Sequence, residues 1–173
     1  MGAVSAAAAS HVMTSSNLET EKNPLVQILR TWDPAAVAET NEFRGELTIE
    51  LARENALRVA EFLRHEKGLE FDFLSDISAV DRFPMEPRFE LNYHLLSIPN
   101  RQVLRMRVRV HGGVHPVMDT MTPVWPTADW HEREIFDLFG IRFEGHPDLR
   151  RILMPEDWEG YPLRKDYPVE GFR

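Results

Sequence analysis

Apolar residues recur along this chain at two spacings, and the places where one gives way to the other mark its elements. In 24–32, Leu25, Ile28 and Leu29 fall three and four residues apart behind Pro24. This predicts a short helix with proline in its first turn, stopped by Asp33-Pro34. Ala52, Ala56, Val59, Ala60 and Leu63 repeat in the same way and predict a longer helix over 53–67, with Gly68 as its left-handed cap. Elsewhere the period drops to two. Strands are predicted at 37–42 and 46–51, with Arg44-Gly45 at the turn and Leu47, Ile49 and Leu51 on the buried side. Three more follow at 70–80, 89–98 and 102–110. Phe71, Phe73, Ile77 and Ala79 are assigned one face of the first of these. Phe89, Leu91, Tyr93 and Leu95 take one face of the second, and Leu104, Met106, Val108 and Val110 one face of the third, with Asn100-Arg101 at the hairpin turn.

The order α-β-β-α-β-β-β predicts an α+β fold: a two-layer domain in which a mixed sheet of about five strands carries helices on one face. A further helix is expected over 129–139, with Thr127 or Asp129 as N-cap, Asp129 and Glu132 as a variant capping box, and Gly140 as its end. Periodicity stops at 141. Pro147, Pro155, Pro162 and Pro168 forbid long helices and central strands there. The expected organisation is an arm without fixed structure over 1–23, a domain over 24–144 and an extended C-terminal tail over 145–173. That tail has no core of its own, yet it carries Trp158, Tyr161, Tyr167 and Phe172. Such a segment must lie on something, and a partner subunit is the expected support.

Composition narrows the chemistry. The 173 residues include 43% hydrophobic ones, enough for one core, and carry a net charge of −8, which argues against a chain that tracks nucleic-acid phosphates. There is no cysteine, so disulfides, thiolate zinc sites and Cys-ligated iron–sulfur clusters are excluded. No apolar run approaches the roughly 20 residues of a membrane span. The first arginine is Arg30, so the Ala-, Ser- and Thr-rich start resembles neither a secretory signal nor an Arg-rich presequence.

Few residues suggest catalysis. His131-Glu132-Arg133-Glu134-Ile135 begins like a zincin helix, but Ile135 stands where the second histidine is needed. His111 and His115 flank a Gly-Gly turn and share no helix face, so no metal site is expected. Gly112-Gly113 lacks the further glycines and the helix start of a phosphate loop. Glu132, Glu134 and Asp137 crowd one short helix, and a glycosidase-like acid/base pair is conceivable. Arg133, Arg142, Arg150 and Arg151 lie close to these acids, however, and an ion-pair lattice is the expectation, with Arg133 reaching Asp137 four residues on. Whether that lattice docks a partner or only fixes a loop is left open by the residues. Arg105, Arg107 and Arg109 form a stripe on one strand face, expected to pair with acids such as Glu90 on the neighbouring strand rather than with an acidic partner.

The run Glu132-Arg133-Glu134-Ile135-Phe136-Asp137-Leu138-Phe139 is followed after six residues by His146, and after three more by Arg150-Arg151-Ile152-Leu153. In order and spacing it resembles the signature of the respiratory complex I 30 kDa subunit family. The continuation through Trp158, Tyr161, Arg164 and Lys165 is also similar, as are Trp125-Pro126 and Phe73-Leu74-Ser75-Asp76. The resemblance spans about 24–171. It implies a non-catalytic structural and assembly subunit in the peripheral arm of proton-translocating NADH:quinone oxidoreductase. That complex passes electrons from NADH through FMN and iron–sulfur clusters to quinone. The same resemblance places the FMN and the clusters in partner subunits, leaving no catalytic, cofactor or metal residue here. It implies packing on the D (49 kDa-type) subunit and on cluster-bearing peripheral-arm subunits, in an unfused form. It also implies a place at the cytoplasmic side of the inner membrane, with the membrane reached only through the complex. Glu132, Arg133, Glu134, Asp137, His146, Arg150, Arg151, Trp158, Tyr161, Arg164 and Lys165 are the expected signature and interface residues. Competing readings are a homologous subunit of a membrane-bound hydrogenase or of another quinone- or F420-linked dehydrogenase, a hydrolase using Glu132 or Glu134, and a docking protein outside respiration.

Overall fold

A computed structural model of the chain describes residues 20–113 and 115–171. Its elements are α1 (Pro24–Trp32), β1 (Glu39–Phe43), β2 (Glu46–Leu51), α2 (Arg53–His65), β3 (Phe73–Asp81), β4 (Phe89–Ser97), β5 (Gln102–Val110), β6 (Val117–Asp119), α3 (Ala128–Phe139) and β7 (Arg142–Glu144). The α+β architecture and the five-stranded mixed sheet match the sequence expectation. The Asn23 side chain accepts from the Leu25 N–H at 3.0 Å and caps α1. Arg44 and Gly45 take φ values of 53° and 80°, the left-handed pair that a two-residue hairpin needs between Phe43 and Glu46.

The sheet runs β1-β2-β5-β4-β3. All neighbours are antiparallel except β2 and β5, which lie parallel at its centre. A parallel pair cannot be closed by a hairpin, so α2 and the β3–β4 hairpin fill the connection between them. One sheet face is covered by the helices. Leu25, Val26 and Leu29 of α1 and Ala56, Val59, Ala60 and Leu63 of α2 pack with Leu47, Ile49, Leu104, Met106 and Leu91 in one core. The opposite face carries the arginine stripe, and it pairs across strands as expected. Arg105 meets Glu46 at 2.6 Å, Arg107 meets Glu90 at 3.2 Å, and Arg109 meets Glu50 at 3.1 Å.

Several local expectations change. Along β3 the pairing passes from Leu74 opposite Leu95 directly to Asp76 opposite His94, leaving Ser75 as a bulge. The extra residue inverts the alternation, so Leu74 joins Ile77 in the core and Phe73 is exposed. Gly68 is left-handed, but α2 has already ended at His65, so the glycine serves the turn that follows. β6 and β7 pair in parallel over three residues each, too short to show a period in the sequence. Trp125, buried in the segment between β6 and α3, donates its indole N–H to the Phe71 carbonyl at 2.9 Å and pins that segment to the sheet. The end of the expected N-terminal arm is held as well. Glu21 accepts from Arg30 at 3.1 Å and from Thr40 at 3.0 Å, while 1–19 lie outside the described residues.

Leu104 is buried and its neighbour Val103 exposed. Leu104→Ala is expected to lower stability by about 2–5 kcal/mol, and Val103→Ala by less than about 0.5 kcal/mol, in urea denaturation of the full chain.

Candidate docking surface

α3 is where most of the singled-out residues converge, and its two buried acids behave differently. The Asp137 side chain is 0% exposed. Its Oδ2 accepts three consecutive backbone N–H groups from the returning tail, Ile152 at 3.0 Å and Leu153 and Met154 at 2.8 Å each. Its Oδ1 accepts from Arg151 at 2.6 Å. The same guanidinium donates onward to the carbonyls of Trp158 at 3.0 Å and Gly160 at 3.1 Å. Burial alone would raise the Asp137 carboxyl. The N–H groups of Met154 and Leu153, Arg151, and the N–H of Ile152 outweigh it and hold the acid below the usual carboxylate range. A tail turn is thus wound around one carboxylate, as an anion nest is wound around its ion.

Arg133 does not reach Asp137 as expected. It lies 4.0 Å from Asp129, one turn earlier, stacks over the Trp130 ring at 5.1 Å, and donates to the Arg150 carbonyl at 3.4 Å. Asp137 is already enclosed by the tail backbone and Arg151. The capping box is also absent. Thr127 makes no side-chain cap, and Glu132 turns inward instead. Glu132, 0% exposed, accepts from the Thr120 hydroxyl at 2.5 Å and the Met121 N–H at 2.6 Å. Burial pushes this carboxyl up, its two hydrogen bonds pull it partly back, and Asp129 adds to the rise, leaving it at about 7. Glu134 is exposed on another side of the helix. Residues two apart on a helix do not face each other, so the conceivable acid/base pair is not formed.

A second staple holds the end of the tail. Arg88 donates to Asp81 at 2.9 and 2.7 Å and to Asp166 at 2.9 and 2.6 Å, and the Lys165 N–H adds a bond to Asp81 at 2.8 Å. Burial of Asp81 is outweighed by Arg88 and by the N–H groups of Lys165 and Phe83, so its carboxyl titrates at about 2. Between the staples, Leu163 N–H bonds to the Leu138 carbonyl at 3.1 Å, and Arg164 donates to the Phe139 carbonyl at 2.5 Å while covering the Tyr161 ring at 4.7 Å. Gly140, left-handed at φ 73°, ends α3. A Cβ there would stand 2.4 Å from the Tyr161 ring, so the glycine serves both the turn and the close approach of the tail. The tail therefore finds its inner support on its own domain, which corrects the expectation that only a partner could shelter it.

The remaining expected residues divide. The His146 side chain is 0% exposed; its Nδ1 accepts the Asp148 N–H at 3.0 Å and its Nε2 lies 3.2 Å from the Asp129 carbonyl. With Nδ1 accepting, Nε2 is the ring nitrogen left to donate, and it faces both the carbonyl and the carboxylate of Asp129. Arg150 is exposed and pairs with Asp148 at 2.9 Å. Lys165 contributes its backbone. Asp81, Arg88 and Asp166 were not legible as a site, because Arg88 and Asp166 stand 78 residues apart. Among the described residues, no three metal-capable side chains come together, and no helix is long and apolar enough to cross a membrane.

Facing outward from this stapled framework are Trp130, 62% exposed, Leu153, 59%, Trp158, 38%, and Leu163, 51%. Large apolar groups fixed in solvent by a rigid backbone suit association, not proton transfer. Asp137→Asn would place an amide N–H₂ against converging N–H donors. It is expected to destabilise the tail turn by about 3–5 kcal/mol, read as lost amide-exchange protection at 152–154 while β5 amides stay protected.

Residues 49–173 match the family described as respiratory-chain NADH dehydrogenase, 30 kDa subunit. The C subunit of NADH-quinone oxidoreductase from Roseiflexus sp. (strain RS-1) is 48% identical over 145 residues, covering 84% of this chain and 83% of that one. The protein of the same name from Geotalea uraniireducens (strain Rf4) is 45% identical over 151 residues, covering 87% and 90%. Among solved structures, a trypsin-resistant fragment of Nqo5 superimposes with a TM-score of 0.59 at 35% identity, over 72% of this chain and 98% of that one. The membrane-bound sulfane sulfur reductase, an archaeal respiratory membrane complex, contains a chain that matches with a TM-score of 0.71 at 25% identity, over 84% of each.

Proposed function

The chain belongs to the 30 kDa subunit family of respiratory-chain NADH dehydrogenase, and on that premise we propose that it serves as the C subunit of NADH:quinone oxidoreductase, a non-catalytic brace of the peripheral arm. The observation that carries the reading is the stapled tail. Asp137 and Arg88 fix its inner side to the domain and leave Trp130, Leu153, Trp158 and Leu163 outside. Apolar side chains already held in place lose little freedom on docking, which favours a permanent neighbour. In this reading that neighbour is the D subunit, with the cluster-bearing peripheral-arm chains close by. FMN and iron–sulfur clusters belong to the partners, and the chain reaches the cytoplasmic side of the inner membrane through the complex. The complex as a whole moves electrons from NADH to quinone and translocates protons.

Two features support a bracing role over a catalytic one. Glu132 has no exposure to meet a substrate, and Asp137, the acid three residues beyond Glu134, is fully buried and committed to the tail backbone and Arg151. The likeness to a sulfane sulfur reductase chain favours a second reading, a subunit of a related membrane-bound reductase or hydrogenase. The identities of 48% and 45% to NADH-quinone oxidoreductase subunits, against 25% to that chain, support the first.

Purification of the tagged chain from native membranes is expected to bring flavin, iron and a cluster-bearing subunit in one peak. Trp130→Ala combined with Trp158→Ala should fold normally by circular dichroism and lose at least about tenfold of that co-elution, the loss of two interface anchors. A wild-type peak without flavin and iron would reject the assignment. Full retention by the double variant would reject this surface as the docking face.

A further inference from the structure

Glu132 is a buried carboxylic acid that faces no cation. The groups around it come from each element that packs there. Thr120 and Met121, just after β6, donate to it. Tyr93 on β4 feels the charge of Glu132 and of Asp119 on β6, and Asp129 stands one turn back on α3 itself. No Lys, Arg or His pairs with it among the described residues. The Tyr93 hydroxyl is buried without a hydrogen-bond partner, and so is Oδ1 of Asp129. The cations nearby are engaged with those acids, Arg133 and His146 with Asp129 and Arg53 with Asp119, so the Glu132 position suits a neutral carboxyl.

What Glu132 holds is a junction. Thr120 also bonds through its N–H to the Glu144 carbonyl at 2.9 Å, which ties the small β6–β7 sheet to the same point. The Thr120 hydroxyl lies 2.9 Å from the Thr122 hydroxyl and accepts the Thr122 N–H at 3.2 Å. One side chain on α3 thus gathers the end of β6, the start of the following segment and, through Thr120, β7.

We propose that Glu132 is a proton-operated latch: protonated, it holds the β6–α3 junction closed, and loss of its proton favours opening of that junction. The closed pocket keeps the proton to about 7, whereas a carboxyl released to water titrates near its ordinary 4.5. Between those values the open form has lost a proton that the closed form retains. Opening is therefore rarest below about pH 4.5, becomes about tenfold more frequent for each pH unit above it, and levels off above about 7, where both forms are ionised. The latch stands on this pocket alone. Its consequence for association rests on the function proposed above: α3 carries Asp137 further along, so opening loosens the helix around which the tail is wound.

The test uses the full chain labelled with carbon-13 at its glutamate carboxyls. The resonance that disappears in Glu132→Gln is expected to titrate with a midpoint near pH 7, and in Thr120→Val, which removes a donor to the ionised form, at a higher pH. Amide exchange at Met121 and Thr122, divided by the intrinsic rate of an unstructured amide, should rise roughly fortyfold between pH 5 and 7 in the wild type and stay flat in Glu132→Gln. A midpoint between pH 4 and 5 for the Glu132 resonance would overturn the latch, and corrected wild-type exchange that does not change with pH would overturn it even if neither variant folds. Loss of flavin and iron co-elution by the wild type would instead overturn the functional assignment and leave the latch standing.

Discussion

The carboxylate of Asp137 decides whether this chain has a usable surface. A segment interrupted by four prolines builds no helix or sheet of its own, so its backbone donors need partners elsewhere. Three of them converge on one buried oxygen, and Arg151 closes the shell while reaching two carbonyls further along. Removing the charge would leave those donors without an acceptor of equal strength. The order of the residues that follow, including the side chains they present to solvent, depends on that single ion.

Asp137 and Glu132 show how one short helix can hold two buried acids in opposite states. Both lose hydration. Asp137 regains it from a guanidinium and three peptide dipoles, and stays ionised. Glu132 receives one hydroxyl and one N–H, faces other acids, and keeps its proton to about 7. The number and charge of the donors decide between these outcomes, since burial acts the same way on both.

The sheet supplies the rigid base for this arrangement. Its parallel pair of central strands and the core beneath α1 and α2 run on without a break to Ile135 and Phe139 of α3 and to Leu149 at the start of the tail, and its other face is neutralised by cross-strand ion pairs. Half-buried and mutually neutralised, those pairs present no single sign of charge to a partner. The distinctive surface lies instead along α3 and the tail, where exposed indoles and leucines are held by buried charges. The bracing role proposed above would draw on this combination: a continuous core behind, and a contact face whose backbone is already held by the Asp137 and Arg88 staples.

By itself the sequence determined the elements whose signal is local. Period-two runs located β2, β4 and β5, helical spacing located α1 and α2, Thr127 and Gly140 marked the ends of α3, and the span from Glu132 to Arg151 pointed to the family. The tertiary structure decided what depends on contacts between distant positions. It chose Arg151 over Arg133 as the partner of Asp137, joined Arg88 to Asp166 across 78 residues, inserted the bulge at Ser75 and paired the three-residue strands β6 and β7. It also folded the tail back onto its own domain. Periodicity reports which side of an element faces apolar matter, because that preference acts residue by residue. It carries no information on which charge meets which, because a salt bridge or a nest is fixed by where two remote stretches of backbone come to rest.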